Sequence, residues 1–293
     1  MVDSDIAKAM ETVTSRYEVL GKIGQGGSGS VYKALDRHLE RHVAIKRLHG
    51  PDEIVVPGSP SPSAGTADSL FREARTLGAI QHPNIVTLYD LGVDEDGPFA
   101  VMEYLRGRPL EEVIEKAPLP LIEFSILVRD VLNGLAAAHA CNILHRDMKP
   151  SNVMLLWLPT GDLQFKILDF GLAKFSAKPA VQTMDMAGGV MGSIHFMAPE
   201  QFERAPLDAR TDLYSTGCVF FHALTARHPF AGKTGPQVMM AHMDHKVGPL
   251  AQRRPDVPPA LVDWVLKFIL RKPEERHASA MDALRAFREV TAA

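Results

Sequence analysis

The dominant period of the hydrophobic pattern changes near Tyr104–Arg108, and this change constrains the fold more than any other feature. Before the segment Tyr104–Arg108, short apolar stretches rich in Val, Ile and Tyr alternate with glycines and charged turns, which is typical of β-strands. After it, apolar residues recur every three or four positions, as on one face of a helix. The pattern predicts an α+β chain, with a small sheet-rich part followed by a larger helical part.

The same periodicity locates individual elements. Strands are predicted at Tyr17–Ile23, Ser30–Leu35, His42–Leu48, Asn84–Val93, Phe99–Leu105, Asn152–Leu156 and Gln164–Asp169. Helices are predicted at Ser69–Ile80, Leu121–Ala140, Leu213–Leu224, Leu261–Leu270 and Met281–Val290, with an N-cap signal from Ser279 and Asp282 before the last. Residues 49–69 are rich in Pro, Gly and Ser, which predicts a flexible insert.

Composition narrows the functional class. Lys and Arg total 32 and Asp and Glu total 35, a net charge of −3 that disfavours nucleic acid as a partner. Two cysteines, Cys141 and Cys218, cannot form a disulfide framework; they fit a reducing, cytoplasmic location and are expected to be buried packing residues. No apolar run approaches the roughly 18 residues that a membrane span needs, so no span is expected.

A glycine-rich string lies between the first two predicted strands: Gly24-Gln25-Gly26-Gly27-Ser28-Gly29. Glycines let a backbone approach a phosphate without an intervening side chain. The same pattern opens the dinucleotide-binding fold of oxidoreductases, but there a helix follows, whereas Ser30–Leu35 is predicted as a strand. A phosphate-binding hairpin is therefore favoured, and a hairpin without a ligand stays open on this motif alone.

One lysine lies where it could serve that loop. Lys46 ends the apolar string Val43-Ala44-Ile45 on the strand after the glycine loop, so its ammonium group could reach phosphates held there. A carboxylate partner would hold the lysine in place, and Glu73 on the next predicted helix is the candidate. Taken singly, both residues are also compatible with surface positions.

Three further motifs follow in order along the second half of the chain: His145-Arg146-Asp147-Met148-Lys149-Pro150-Ser151-Asn152, Asp169-Phe170-Gly171 and Ala198-Pro199-Glu200. Their order and spacing resemble the catalytic loop, metal-binding loop and end of the activation segment of protein kinases. From Tyr17 to Val290 the chain resembles a eukaryotic-like serine/threonine protein kinase of the bacterial style.

The resemblance implies a two-lobed kinase fold with ATP in the cleft between the lobes. An N-terminal extension (1–16) would precede an N-lobe (17–103), a hinge (103–108) and a C-lobe (109–290). The implied activity is transfer of the ATP γ-phosphoryl group to Ser or Thr of protein substrates, with Mg²⁺ as cofactor and a transient dimer for autophosphorylation. The alternative is a pseudokinase that binds nucleotide and acts as a scaffold.

The resemblance also assigns roles to individual residues. Lys46 would contact the α- and β-phosphates and pair with Glu73. Asp147 would take the proton of the substrate hydroxyl, Lys149 would face the γ-phosphate, and Asn152 and Asp169 would ligate Mg²⁺. The residues expected to line the ATP site are Ile23, Gly24, Gln25, Gly26, Gly27, Ser28, Gly29, Ser30, Val31, Ala44, Lys46, Met102, Glu103 and Leu105.

Further roles concern support and regulation. His145 is expected to be a packed structural residue, Asp212 to brace the catalytic loop, and Arg276 to pair with Glu200. Ser193 stands where the family has threonine and keeps a hydroxyl for Asp147 and Lys149. Arg146 before Asp147 goes with control by phosphorylation of the activation segment, for which Thr183 is the first candidate and Ser176 the second. The spacings of His38 with His42 and of His242 with His245 are poor evidence for zinc.

Overall fold

The computed structural model describes residues 16–26, 29–48, 78, 80–94, 97–170 and 192–292, which fall into two compact units. The first unit holds the described residues up to 82 and residues 86–106. The second holds residues 83–85, 107–170 and 192–292. A sheet dominates the first unit and helices dominate the second, so the predicted α+β class is confirmed.

The first unit is a five-stranded antiparallel sheet with strand order β1-β2-β3-β5-β4. Its core packs side chains from β1, β2, β3 and β5 together, among them Val19, Tyr32, Val43 and Phe99. The strands are β1 (Tyr17–Gly26), β2 (Gly29–Asp36), β3 (Arg41–Leu48), β4 (Leu88–Asp94) and β5 (Gly97–Glu103).

Strand β4 begins at Leu88, four residues later than predicted. The preceding segment serves the second unit instead: the carbonyl of Asn84 accepts the backbone N–H of Ile167, and its side-chain amide donates to the carbonyl of Phe165 at 2.9 Å. The Asn84 backbone carbonyl is therefore paired with β8 and not with a strand of the first sheet. Apolar residues such as Ile85 therefore mimic a strand pattern without belonging to β4.

The second unit contains a small antiparallel sheet of β6 (Gly107–Pro109), β7 (Val153–Trp157) and β8 (Leu163–Ile167). Strand β6 and helix α1 (Leu110–Lys116), which follows it directly, were not predicted. Both are too short to show a clear period. The predicted strands at Asn152–Leu156 and Gln164–Asp169 correspond to β7 and β8, each displaced by one or two residues.

Seven further helices build the rest of this unit in the described part of the chain. Helix α2 spans Leu121–Ala140, as predicted. The others are α3 (Pro199–Phe202), α4 (Ala209–Thr225), α5 (Gly235–Met243), α6 (Leu250–Arg253), α7 (Pro259–Phe268) and α8 (Ala280–Ala292), of which α3, α5 and α6 were not predicted. Short 3₁₀ turns lie at Pro150–Asn152, Gly192–Phe196 and Pro273–Glu275.

Helix α4 begins four residues before its predicted start because Asp208 caps it, accepting the backbone N–H of Arg210. Nearly every residue of α4 from Thr211 onward is buried. A Cβ at Gly217 would collide with the side chain of Phe268, so glycine is what allows α7 to approach α4 this closely. The expected N-cap of α8 is confirmed, since Ser279 Oγ accepts the N–H of Asp282 at 3.1 Å.

Two expectations about packing have different outcomes. Cys218 on α4 is buried, as expected, whereas Cys141 is exposed, so the expectation of a buried Cys141 is wrong. Cys141 follows the last residue of α2, where the chain turns at the surface. Within the described ranges, no helix combines the length and apolar character needed to cross a membrane. The predicted insert 49–69 and nearly all of the predicted helix Ser69–Ile80 lie outside the described residues.

Candidate active site

In the first unit, the glycine-rich string forms the end of the β1–β2 hairpin. Gln25 pairs with Ser30 and Gly26 with Gly29 across the hairpin, and Gly29 has φ = 144°, a conformation that favours glycine. Gly27 and Ser28, between these partners, lie outside the described residues. A strand follows the glycines rather than a helix, as the phosphate-binding hairpin requires.

Lys46 lies on β3 opposite Val31 of β2, and its side chain is buried to 3% exposure. It is therefore not the surface residue that the alternative interpretation allows. Glu73, its expected partner, lies outside the described residues.

An apolar cluster adjoins this strand. Ala44 pairs with Met102 across β3 and β5, and these two pack with Ala100, with Val31 against them. Three residues expected to line an adenine site thus belong to one cluster. Of the others, Glu103 ends β5 and donates its backbone N–H to the Thr87 carbonyl, Leu105 follows half-buried, and Ile23 is exposed.

In the second unit, the loop 145–152 is held by one buried carboxylate. Asp212, at the start of α4, accepts the backbone N–H of His145 at 2.8 Å and that of Arg146 at 2.7 Å. It also accepts from His139 Nε2 at 2.8 Å. The loop needs this support because Arg146 adopts φ = 67°, the left-handed region that costs roughly 1–2 kcal/mol in a non-glycine residue. The expected bracing role of Asp212 is confirmed.

His145 connects this loop with the Asp169 motif. Its Nδ1 accepts the backbone N–H of Asp147 at 3.2 Å, so Nε2 carries the proton and donates to the carbonyl of Leu168 at 2.7 Å. The ring packs edge-on against Phe170, with 4.8 Å between centroids, and is fully buried. His145 is thus the packed structural residue that was expected, and it cannot act as a base.

The Asp147 carboxylate lies beside two polar side chains. Its Oδ2 is 2.7 Å from Lys149 Nζ, and Asn152 Nδ2 donates to the Asp147 carbonyl at 2.8 Å and to Oδ2 at 3.3 Å. Lys149 Nζ also donates to Ser193 Oγ at 2.9 Å, which confirms the expected contact with lysine. Because Asp147 is still partly exposed, an acceptor hydroxyl can approach its carboxylate.

The residues expected to hold Mg²⁺ fit that ion chemically. Val153 pairs with Ile167, and the backbone N–H of Leu168 donates to the carbonyl of Asn152, so Asp169 follows directly beside Asn152. Since both bonds to Asp147 use the Asn152 amide nitrogen, its amide oxygen points elsewhere. An amide oxygen and a carboxylate are the hard ligands that Mg²⁺ prefers.

Gln201 ties the segment that begins at Ala198 to the loop 145–152, and its neighbour Glu200 ties that segment to Arg276. Gln201 Oε1 accepts the backbone N–H of Ala198, and its Nε2 donates to the carbonyl of Arg146 at 3.0 Å. Glu200 forms the expected pair with Arg276, at 2.7 and 2.9 Å. Burial of Glu200 acts to raise its pKa, but the hydrogen bonds and charge of Arg276 outweigh this and hold the pKa below its ordinary value.

Sequence reasoning missed two of these contacts. His139, the penultimate residue of α2, contacts Asp212, and Gln201, next to Glu200, contacts the loop, each through a single long-range bond. His139 lies on a helix with no motif around it. Of the proposed phosphorylation sites, both Thr183 and Ser176 lie outside the described residues.

Comparison with known proteins agrees with this geometry. The model of the protein kinase domain family matches residues 17–286. A probable serine/threonine-protein kinase of Clostridium acetobutylicum is 34% identical, covering 93% of this chain and 39% of that protein. Serine/threonine-protein kinase PrkC of Bacillus subtilis is 32% identical over 92% of this chain and 40% of its own length. The chain thus spans about two fifths of these two relatives.

A third relative matches over more of its length. Serine/threonine-protein kinase PknL of Mycobacterium tuberculosis is 33% identical, covering 96% of this chain and 67% of that protein. Among solved structures, Rad53 residues 1–466 with AMP-PNP aligns with a TM-score of 0.74 at 23% identity, over 94% of this chain and 66% of that one. The PknI kinase domain of Mycobacterium tuberculosis gives 0.70 at 22%, over 94% and 97%. At these identities the structures share the fold.

Proposed function

The chain belongs to the protein kinase domain family, and from this premise we propose that it transfers the γ-phosphoryl group of ATP to serine or threonine hydroxyls of proteins. The observation that carries the proposal is the arrangement around Asp147. Its carboxylate lies 2.7 Å from Lys149 and within reach of the Asn152 amide, on a loop whose backbone Asp212 holds. A scaffold that only bound nucleotide would not need this set of charges.

Each residue has a part in the proposed reaction. The Asp147 carboxylate accepts the proton of the attacking hydroxyl and orients its oxygen toward the γ-phosphorus. Lys149 places positive charge where negative charge develops on the phosphoryl oxygens, and Ser193 fixes the lysine side chain. Breaking the bond between the γ-phosphorus and the β–γ bridging oxygen releases ADP.

The remaining site residues would bind the metal ion and the nucleotide. Asn152 and Asp169 would hold Mg²⁺, which would supply positive charge to neutralise the β- and γ-phosphates. The β1–β2 hairpin covers the phosphates and Lys46 contacts the α- and β-phosphates, while Val31, Ala44 and Met102 offer an apolar surface to adenine.

Activation by phosphorylation is part of the proposal. Arg146 Nε is buried and has no hydrogen-bond partner among the described residues. A phosphate on the segment between Asp169 and Ala198 would supply a charge-assisted partner. We assign this role first to Thr183 and second to Ser176, with transfer between two copies in a transient dimer.

The test is transfer of labelled phosphate from Mg·ATP to a generic protein substrate, followed by phosphoamino-acid analysis. We expect phosphoserine and phosphothreonine from the unmodified chain, and a rate at least about a hundredfold lower for Asp147→Asn. Asp263→Asn, on the exposed side of α7, is the matched control and should keep the full rate. An Asp147→Asn variant as fast as the control would overturn the proposal.

A further inference from the structure

Four histidines of the second unit, His195, His222, His228 and His242, form what we call the histidine cluster. His195 lies in the 3₁₀ turn Gly192–Phe196, His222 and His242 near the ends of α4 and α5, and His228 in the loop after α4. The rings of His195 and His228 stack at 3.9 Å with 9° between their planes, and His222 meets His228 edge-on at 4.4 Å. No motif or regular spacing in the sequence announces this cluster.

The cluster is poorly satisfied. The Nδ1 atoms of His195, His222 and His228 are buried and have no hydrogen-bond partner within the described residues. His242 is fully buried, and its Nδ1 contacts the Tyr214 hydroxyl at 2.8 Å. When a buried imidazole nitrogen without a partner takes up a proton, the cost of burying the charge strongly favours exposure of the ring to water.

The surroundings keep the rings neutral. Burial and the neighbouring His195 lower the pKa of His222 to about 4, and burial with the other three histidines lowers that of His228 to about 3. Burial also lowers the pKa of His242 to about 3 and that of His195 below its ordinary value. A proton that binds to one of these rings is therefore disfavoured by the low polarity of the surroundings. A second proton is also disfavoured by repulsion from the first.

No carboxylate in the described part of the chain pairs with these rings. The Glu200 carboxylate on α3 is engaged by Arg276, and that of Asp244 after α5 by Lys246. The other titratable or charged groups on the elements that pack here are Arg210, Asp212, Tyr214, Cys218, Arg227 and His245. Asp212 is the one carboxylate among these six, and it is engaged by His139 and by the backbone of the loop 145–152. None of the other five carries a negative charge near neutral pH that would compensate a protonated cluster.

The turn that carries His195 also carries Ser193, the residue that holds Lys149 beside Asp147. Ring contacts fasten this turn to α4 and the loop after it: Phe196 stacks parallel to His222 at 6.0 Å and meets His228 edge-on at 5.5 Å. Other contacts of the turn are the apolar packing of Ile194 and Met197 against Val238 of α5, and a hydrogen bond between the His195 side chain and the backbone of Phe230. The position of Ser193 thus depends on contacts with neutral imidazoles.

We propose that the histidine cluster positions Ser193 in a proton-dependent way: in acid, protonation separates the rings, the Gly192–Phe196 turn opens, and the hydrogen bond between Ser193 and Lys149 is lost. The four histidines are positioning residues in this account. The catalytic consequence rests on the proposed phosphoryl transfer, whereas the opening of the turn can be measured without it.

The expected change in the ratio of open to closed turn follows from the linkage between protonation and opening. An imidazole released to water has a pKa near 6.5, so at pH 5.5 its protonated form exceeds the neutral form about tenfold. Each released histidine that stays neutral in the closed turn therefore multiplies the ratio of open to closed turn by about ten. Release of His195, His222 and His228 together shifts the ratio by about a thousandfold between neutral pH and pH 5.5.

Hydrogen exchange measures the opening. The N–H groups of Met197 and Gln201 are hydrogen-bonded in the closed state, so a peptide covering residues 192–202 reports on the turn. A peptide from α7 in the same sample reports on global unfolding. Corrected for intrinsic rates, protection of 192–202 should fall by at least about a hundredfold from pH 7 to 5.5 and stay below that of α7 at each pH, which shows that the turn opens without global unfolding.

Two variants separate the cluster from acid instability in general. The double variant His222→Phe/His228→Phe keeps aromatic rings but removes two protonation sites, and should lose at most about tenfold of the protection of 192–202 over the same pH range. His277→Phe is the matched control, because His277 is also buried with a lowered pKa but packs on Trp264 and Phe268. It should behave as the unmodified chain. If the double variant melts at neutral pH, His228→Phe alone should recover about tenfold.

Activity supplies the second readout. The ratio of the double variant's rate to the unmodified chain's rate should rise as pH falls from 7 to 5.5. Protection of 192–202 that is independent of pH, that equals the protection of α7, or that is lost equally in the double variant overturns the inference. A constant rate ratio in an active enzyme overturns its catalytic part and leaves phosphoryl transfer standing. Proton-dependent opening in a chain inactive at every pH supports the inference for the turn and rejects the proposed function.

Discussion

The Asp212 carboxylate accepts the backbone N–H of Arg146 at 2.7 Å, across 66 positions of sequence, and so stabilises a residue in the left-handed conformation. The charge on Asp212 matters because it also accepts from His145 N and from His139 Nε2. A single buried anion thereby sets the backbone from which the Asp147 side chain projects.

Replacing Asp212 by Asn should therefore reduce activity and stability together. The amide can accept at only one of its two atoms, so its NH₂ group faces a buried donor, which we expect to cost roughly 2–3 kcal/mol of unfolding free energy. Denaturant unfolding and the rate of phosphoryl transfer measure both effects. Asp208→Asn is the matched control, because asparagine is an equally good cap for the same helix and should change stability by less than about 0.5 kcal/mol. Equal losses in both variants would contradict this reasoning.

Lys46→Met should abolish most transfer while leaving the fold intact. Methionine replaces the buried aliphatic stem of Lys46 on β3 and removes only its charge, so we expect a small change in melting temperature and a rate at least about a hundredfold lower. Lys33→Met on β2, whose ammonium group lies over the Tyr104 ring at 4.9 Å, is the control for loss of a lysine in the same sheet. A wild-type rate in Lys46→Met would remove Lys46 from the mechanism.

Sequence reasoning succeeds where a pattern is local. Helix α2 carries five turns of unbroken apolar periodicity and matches its predicted bounds of Leu121–Ala140, and the catalytic-loop motif locates Asp147, Lys149 and Asn152. It fails where a contact joins distant segments: the bonds of Asn84 to β8 shorten the predicted strand, and His139 reaches Asp212 without a motif. The histidine cluster brings together residues from four segments, and only one of the contacts between its rings joins residues that are close in sequence.

The Glu200–Arg276 pair should contribute to folding rather than to chemistry. Arg276 is fully buried and also donates to the carbonyls of Leu270, Arg271 and Arg210, so Arg276→Met leaves a buried carboxylate and three carbonyls without their donor. We expect a loss of about 3–5 kcal/mol in unfolding free energy. The control is Arg271→Met, since Arg271 is half-exposed and its pair with Glu203 is 3.5 Å long. That variant should lose less than about 1 kcal/mol. Similar losses would show that burial does not decide the value of these pairs.

Thr183 should gain phosphate when the chain is incubated with Mg·ATP. The buried Arg146 Nε, which lacks a partner among the described residues, would then bind an oxygen of the phosphate. Thr183→Ala should lower the rate by at least about tenfold, whereas Ser176→Ala should have a smaller effect. Intact-mass and peptide mass spectrometry measured alongside the rates decide the matter. Full activity with an unmodified Thr183 would reject this regulation and leave the catalytic assignment in place.

Acid should destabilise the second unit from about pH 6.5 downward, through its histidines. Burial lowers the pKa of His277 to about 4, as it lowers those of His222, His228 and His242 to about 3–4. Above pH 6.5 these groups are neutral in both states and contribute nothing to the pH dependence. Below it the unfolded chain takes up protons that the folded chain excludes, so the unfolding free energy falls by up to about 1.4 kcal/mol per pH unit for each histidine.

Unfolding by denaturant between pH 7 and 5 isolates this effect, because carboxylates of ordinary pKa take up most of their protons at lower pH. His277→Phe should reduce the slope of unfolding free energy against pH by up to about 1.4 kcal/mol per unit, since one excluded proton is removed while the ring contacts with Trp264 and Phe268 are kept. His38→Phe, at an exposed position after β2, should leave the slope unchanged. Equal slopes in the two variants would mean that His277 takes up its proton equally in the folded and unfolded chain, contrary to the effect of its burial.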